Sequence, residues 1–299
     1  MQLSGTITAM ATPFDENGTL DTPTTARLAA WLAGKGIDGL FIGGTTGEGL
    51  LLTLEERERL TETVVGSAGD RVKVLVQAGC ATTADTIRIA KHAMKAGADG
   101  AALLSPFFYG TDKLAMIEHF ATVAGSVPDF PIYLYNIPGN TRNPITLEIV
   151  ETVVKRCSNV AGIKDSSKDL VFLQKLVEMA PDGFSVLVGS DSVLLPGLAA
   201  GAIGGVSAAS TAFPEAAVAV VDSFFKGDLQ AARAAQQRLN TLLKMLKIGP
   251  TPAGYKAALK LRGIPAGGVR PPLRDFTKEE RERFEKAFNE GWKSGAQEE

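Results

Sequence analysis

Residues 131–167 read PIYLYNIPGNTRNPITLEIVETVVKRCSNVAGIKDSS. An apolar, β-prone run at 131–136 is followed by a segment of helical period and then by a second apolar run at 160–164. Two strands joined through a helix lie parallel, because the helix carries the chain back to the edge from which the first strand started. Working outward, runs of the same kind recur at 6–11, 39–42, 72–77, 100–104, 185–189 and 204–208, with helical segments such as EERERLTETVVGSAG and TIRIAKHAMKAG between them. Eight such units predict an α/β fold of the closed (β/α)8 type, a TIM barrel. An open doubly wound sheet fits less well, since no nucleotide fingerprint follows the first strand. The barrel is expected over 1–227. Helical patterns at 229–246, 252–261 and 278–292 are expected to form a C-terminal annex, 228–299, packed on the barrel as part of the same unit, with a polar end GAQEE. Thr53 with Glu56, and Thr277 with Glu280, have the spacing of reciprocal helix caps.

The 299 residues are 45% hydrophobic and 21% charged, enough apolar material for one large core. A formal charge of -2 supplies no basic field for nucleic acid or an anionic membrane, so a small-molecule partner is expected. The opening MQLSGTITAM lacks the pattern of a signal peptide, and the sequence has no apolar run long enough to span a bilayer, which predicts a cytoplasmic address. Cys80 and Cys157 have no second thiol at metal or redox spacing and are read as reduced and structural. His92 and His119 fall within amphipathic helical patterns, and no metal cluster is predicted.

In a barrel of this kind the chemistry sits where strands finish. The informative windows are GGTTGEG (43–49), SPFFYG (105–110), YLYNIPGN (133–140) and GIKDSS (162–167). Lys164 ends an apolar strand, where partial desolvation favours the neutral, nucleophilic amine; the alternative is a structural ion pair with a nearby carboxylate. Tyr135 ends the preceding strand and could shuttle protons, or be a core tyrosine. Thr45 and Thr46 lie in a glycine-rich turn whose amides and hydroxyls could hold a carboxylate, or form a bare turn.

Together with TPF at 12–14, GTTGE at 44–48, YNIP at 135–138, GIKD at 162–165 and GSD at 189–191, these windows resemble the dihydrodipicolinate synthase and N-acetylneuraminate lyase family of pyruvate-dependent class I aldolases. The resemblance implies that Lys164 is the Schiff-base lysine, Tyr135 the general acid/base, and Thr45 and Thr46 the proton-relay and carboxylate-binding pair. It places Gly44, Asn140, Gly189, Asp191, Val206 and Ser207 around the substrate, with Phe108, Tyr109, Arg142 and Ser192 as further candidates. The covalent imine between lysine and pyruvate implies no metal or organic cofactor, and the resemblance implies a homotetramer acting on a small keto acid and an aldehyde.

The pattern also departs from both named activities. Asn140 stands where dihydrodipicolinate synthases carry an arginine for the carboxylate of aspartate semialdehyde, and Phe108 stands where they carry a tyrosine reaching a neighbouring subunit. Ser192 and Ala208 replace the acidic residue and serine of sialic acid lyases. The expectation is therefore an aldolase for a 2-keto-3-deoxy sugar acid. The alternative is 4-hydroxy-tetrahydrodipicolinate synthesis from pyruvate and aspartate semialdehyde, with Arg142 replacing the missing arginine if the backbone from Asn140 to Arg142 is extended. A non-catalytic keto-acid sensor is the alternative of another class.

Overall fold

The computed structural model describes residues 2–292. It forms the eight apolar runs into strands β1 (Gly5–Ala9), β2 (Gly39–Ile42), β3 (Lys73–Gln77), β4 (Gly100–Leu104), β5 (Ile132–Asn136), β6 (Val160–Asp165), β7 (Ser185–Val188) and β8 (Gly204–Ser207). All pair in parallel, in sequence order, and β8 closes on β1. Because each strand is covered by helices outside and by its fellows inside, the strands read as nearly continuous apolar runs.

Side chains alternate across the wall, so one set fills the barrel and the other meets the helices. The inward set includes Ile7, Phe41, Leu75, Ala102, Tyr133, Tyr135, Leu187 and Val206. Gly162 belongs to the same set by parity, and a Cβ there would lie 2.6 Å from the Tyr133 ring. The glycine of GIKD thus leaves room for a buried aromatic one layer below Lys164.

Both reciprocal caps form as the spacing predicts, at Thr53 with Glu56 and at Thr277 with Glu280. Each satisfies two backbone donors that a helix start leaves free. Helices Leu229–Leu246, Thr251–Leu261 and Lys278–Gly291 follow the barrel, with Trp292 as the cap of the last, while GAQEE lies outside the described residues. Arg262, capping the second of these helices, bonds Glu215 at 2.9 Å and the Ala212 carbonyl at 2.5 Å, which ties the annex to the barrel. Among the described residues no helix is long and apolar enough to cross a membrane.

Candidate active site

Lys164 is the penultimate residue of β6, in register with Tyr135 on β5 and Leu187 on β7. It is 4% exposed, and its Nζ lies 4.0 Å from the ring centroids of both Phe41 and Tyr135. Those two rings meet edge to face at 5.5 Å. Burial pulls the Lys164 ammonium below its ordinary range, opposed by the Tyr135 phenol and by Asp191. Among the described residues it joins no ion pair, so the structural-bridge alternative for Lys164 is not what forms.

The Tyr135 hydroxyl lies 3.4 Å from Thr45 Oγ1, which links the end of β5 to the turn after β2. That turn is closed by glycines for steric reasons. Gly43 has φ 65°, and a Cβ on Gly49 would lie 1.6 Å from the Gly43 carbonyl oxygen. Gly44 packs beneath, where a Cβ would lie 2.5 Å from the Phe41 ring. Thr45 is left exposed and Thr46 half-buried at the apex. Glu48 ends the turn with φ 55° and a buried side chain. Its carboxylate meets Lys256 Nζ at 2.7 Å and accepts the Arg270 amide at 2.8 Å, so two annex segments hold the turn from behind.

On the opposite side, Asp191 follows β7 and is 6% exposed. Its Oδ2 accepts the amides of Ala208 and Ala209 at 3.1 Å each, while Oδ1 has no hydrogen-bond partner. Burial pushes this carboxyl up, against the Ser207 hydroxyl, those two amides and Lys164. Val206 lines the barrel interior. The Gly189 amide donates to the Asp165 carbonyl at 2.6 Å, and a Cβ there would lie 2.0 Å from Ser166 Oγ. Ser192 is exposed and meets Ser190 at 3.2 Å.

A cavity of about 260 Å3 opens at the mouth between Thr45, Gln77, Leu104, Phe107, Asn140 and Leu273. Lys164 does not line it, being closed in by Phe41 and Tyr135. Asn140 is exposed on its rim. The extended backbone that would align Asn140 with Arg142 does not form. Pro138 sets a helical φ and residues Pro138–Thr141 make one turn, with the amides of Asn140 and Thr141 donating to the Ile137 carbonyl. Arg142 caps this turn at φ 63°, exposed and outside the cavity lining. Phe108 and Tyr109 are 87% and 77% exposed, packed edge to face on each other at 4.9 Å, and Phe107 faces the cavity instead. Phe108, at φ 73°, turns the chain outward there.

The structure thus brings Lys164, Tyr135, Thr45 and Asp191 toward one point, and leaves Phe108, Tyr109, Arg142 and Ser192 at the surface. It also adds residues that the sequence reading passed over. Phe41 is a wall of the lysine's enclosure. Asn143, buried, donates to the carbonyls of Pro106 and Tyr109 at 2.8 Å each and accepts the Thr111 amide at 3.0 Å, pinning the loop after β4. Gln77 ends β3 as Lys164 nearly ends β6, a polar residue closing an apolar strand, and that signal was available in the sequence. The thiols of Cys80 and Cys157 are free, and Arg57 donates to Cys80 Sγ at 2.9 Å. His119 meets Thr83 at 2.9 Å and His92 meets Glu62 at 3.0 Å, both on outer helices. Among the described residues there is no group of three or more His, Cys, Asp or Glu placed to hold a metal.

A closed barrel whose strand ends share one mouth is a frame for enzyme sites, and here a buried lysine joined to no ion pair among the described residues stands at the mouth end of the sixth strand. The sequence pattern of the dihydrodipicolinate synthetase family matches residues 2–290. An uncharacterized DapA-like lyase of Halobacterium salinarum is 40% identical over 283 residues, covering 95% of this chain and 92% of that one. The solved 4-hydroxy-tetrahydrodipicolinate synthase of Methylacidiphilum fumariolicum superposes with TM-score 0.93 at 33% identity, covering 99% and 98% of the two chains. YagE, a prophage protein of the dihydrodipicolinic acid synthase family from E. coli K12 solved in complex with pyruvate, superposes with TM-score 0.91 at 30% identity, covering 96% and 98%. The chain belongs to the dihydrodipicolinate synthetase family and is a pyruvate-dependent lyase.

Proposed function

We propose that Lys164 adds to the keto carbon of pyruvate, that the resulting carbinolamine loses water, and that the protonated imine makes the adjacent methyl group acidic enough to become an enamine. The enamine attacks an aldehyde, or forms in reverse when a carbon-carbon bond is cleaved. Tyr135 moves the protons, Thr45 orients its hydroxyl, and Thr46 with Gly44 presents the turn to the pyruvate carboxylate. No external cofactor is required. The single observation that carries this reading is the burial of Lys164 between two aromatic rings with no carboxylate paired to it.

For the second substrate we propose a 2-keto-3-deoxy sugar acid, or in the other direction pyruvate with a glyceraldehyde-like aldehyde. Aspartate semialdehyde brings a carboxylate that must leave water, and lacking a charged partner typically costs about 2–5 kcal/mol. Asn140 supplies hydrogen bonds without charge, and Arg142 lies outside the cavity lining. On the far side Asp191, whose Oδ1 has no hydrogen-bond partner, is the acceptor for substrate hydroxyls, with Ser207, Gly189 and Val206 shaping the wall beside it. Synthesis of 4-hydroxy-tetrahydrodipicolinate is the second reading, favoured by the relatives that bear that name. We also propose one structural unit, the barrel at 1–227 with its annex at 228–299, assembled as a homotetramer and resident in the cytoplasm.

Borohydride added with pyruvate should leave a reduced pyruvyl adduct on Lys164, read by mass. An adduct on another lysine defeats the catalytic assignment. kcat/KM for D-glyceraldehyde should exceed that for aspartate semialdehyde, and a strong preference for aspartate semialdehyde that Arg142→Ala abolishes would establish the second reading.

A further inference from the structure

We infer that Gln77 is a specificity-determining residue that accepts a hydrogen bond from a hydroxyl of the aldehyde partner, an assignment that rests on the Lys164 imine reading and names what the far half of that site recognises. The placement follows from strand parity. In KVLVQ, Leu75 belongs to the barrel interior, so Gln77, two residues on, projects to the same side one layer nearer the mouth. It is 2% exposed and borders the mouth cavity together with Thr45, Leu104 and Asn140. Its backbone carbonyl is already taken by the Arg57 guanidinium. Its side-chain Oε1, however, is buried with no hydrogen-bond partner.

A buried amide oxygen without a donor is costly, and such groups are satisfied by a ligand or an ordered water. Whatever replaces that water must bring a donor, or affinity is lost. Of pyruvate bound as an imine, the methyl group and the carboxylate donate nothing, and the protonated imine N–H is carried by Lys164, which does not line this cavity. The donor therefore belongs to the second substrate. A hydroxyl fits better than an ammonium. Among the described residues Glu48 is the one carboxylate lining this cavity, and it is committed to Lys256 and the Arg270 amide, so an arriving cation would find no free countercharge. Gly79 forms the seat of the amide, since a Cβ there would lie 3.0 Å from Oε1 and 2.6 Å from Leu104 Cβ.

The test compares D-glyceraldehyde with propanal, an aldehyde of the same chain length without hydroxyls, in the parent enzyme and in Gln77→Met, with Gln77→Leu as a second apolar replacement. Pyruvate trapping by borohydride is measured on all three. The parent should favour glyceraldehyde, and Gln77→Met should lower kcat/KM for glyceraldehyde about 10- to 100-fold while propanal changes by no more than about threefold. Trapping on Lys164 should proceed at the parental rate in both variants. Equal loss for the two aldehydes, no loss for either, or a trapped parent that does not distinguish them overturns the assignment. Slowed trapping in both variants overturns it too, by placing Gln77 on the pyruvate half. A parent that pyruvate does not trap defeats the imine reading first, and this inference with it.

Discussion

Lys164 and Lys256 are buried almost equally, at 4% and 2% exposure, and each ammonium nitrogen lies 4.0 Å from an aromatic centroid. Burial pulls both below the ordinary lysine range. What separates them is the partner. Lys256 meets the Glu48 carboxylate at 2.7 Å and donates to the Gly268 carbonyl at 2.6 Å, so its charge is answered on two sides. Lys164 has a phenol and, further off, Asp191. Burial by itself makes a lysine expensive. Burial without an adjacent carboxylate leaves it free to shed its proton and attack a carbonyl, whereas burial with one makes it a tether.

The largest expected effect breaks the comparison at its reactive end. Lys164→Met should abolish both turnover and borohydride trapping with pyruvate, while Lys256→Met should still be trapped on Lys164. Trapping that survives in Lys164→Met would place the nucleophile elsewhere. Next, Tyr135→Phe should keep the fold and slow turnover about 10²- to 10⁴-fold, the range for loss of a positioned proton-transfer group. Near-parental turnover in steady-state assays would assign the proton to another group. Third, Lys256→Met leaves the Glu48 carboxylate buried with only the Arg270 amide, and should lower unfolding free energy by about 3–5 kcal/mol in denaturant titrations. Stability within experimental error of the parent would show that the pair is not the tether described here.

The same contrast marks what the sequence could and could not reveal. Strands were legible because a wall buried on both faces demands unbroken apolar runs, and Lys164 and Tyr135 stood out as polar endings to two of them. The capped helices were legible because both halves of each cap lie three residues apart. Glu48 with Lys256 was not, since the two residues come from opposite ends of the chain and no spacing rule connects them; the glutamate read simply as part of a turn. Gln77 carried the same strand-end signature as Lys164 and was passed over because an amide performs no chemistry of its own. The alternative in which Arg142 replaces the missing arginine needed an extended backbone from Asn140 to Arg142, and Pro138 starts a helical turn there instead. The resemblance made Phe108 and Tyr109 site candidates in the loop after β4, whereas Phe107 lines the cavity and Phe108, at φ 73°, and Tyr109 are exposed.

The smallest effect concerns stability and separates the two lysines by sign. Because burial lowers Lys164 in the folded protein below its value of 10.5 in the unfolded chain, the unfolded chain holds more protons throughout the interval between the two values. Folding stability then rises with pH across that interval, and below it the cost of burying this lysine is fully present. Lys164→Met removes the group and its cost without leaving a carboxylate paired to nothing, and methionine fills a similar volume. The variant should therefore melt above the parent at neutral pH, by on the order of 2 °C for each kcal/mol recovered. That margin should narrow as pH climbs through 10.5, above which the parent's lysine is neutral in both states. Lys256→Met should melt below the parent at neutral pH, because its loss orphans Glu48. Melting curves at neutral and alkaline pH on the parent and both variants check the pair of signs. A Lys164→Met protein less stable than the parent at neutral pH, or a margin that widens with pH, would mean that Lys164 is held charged by its surroundings after all, and the two lysines would then be alike.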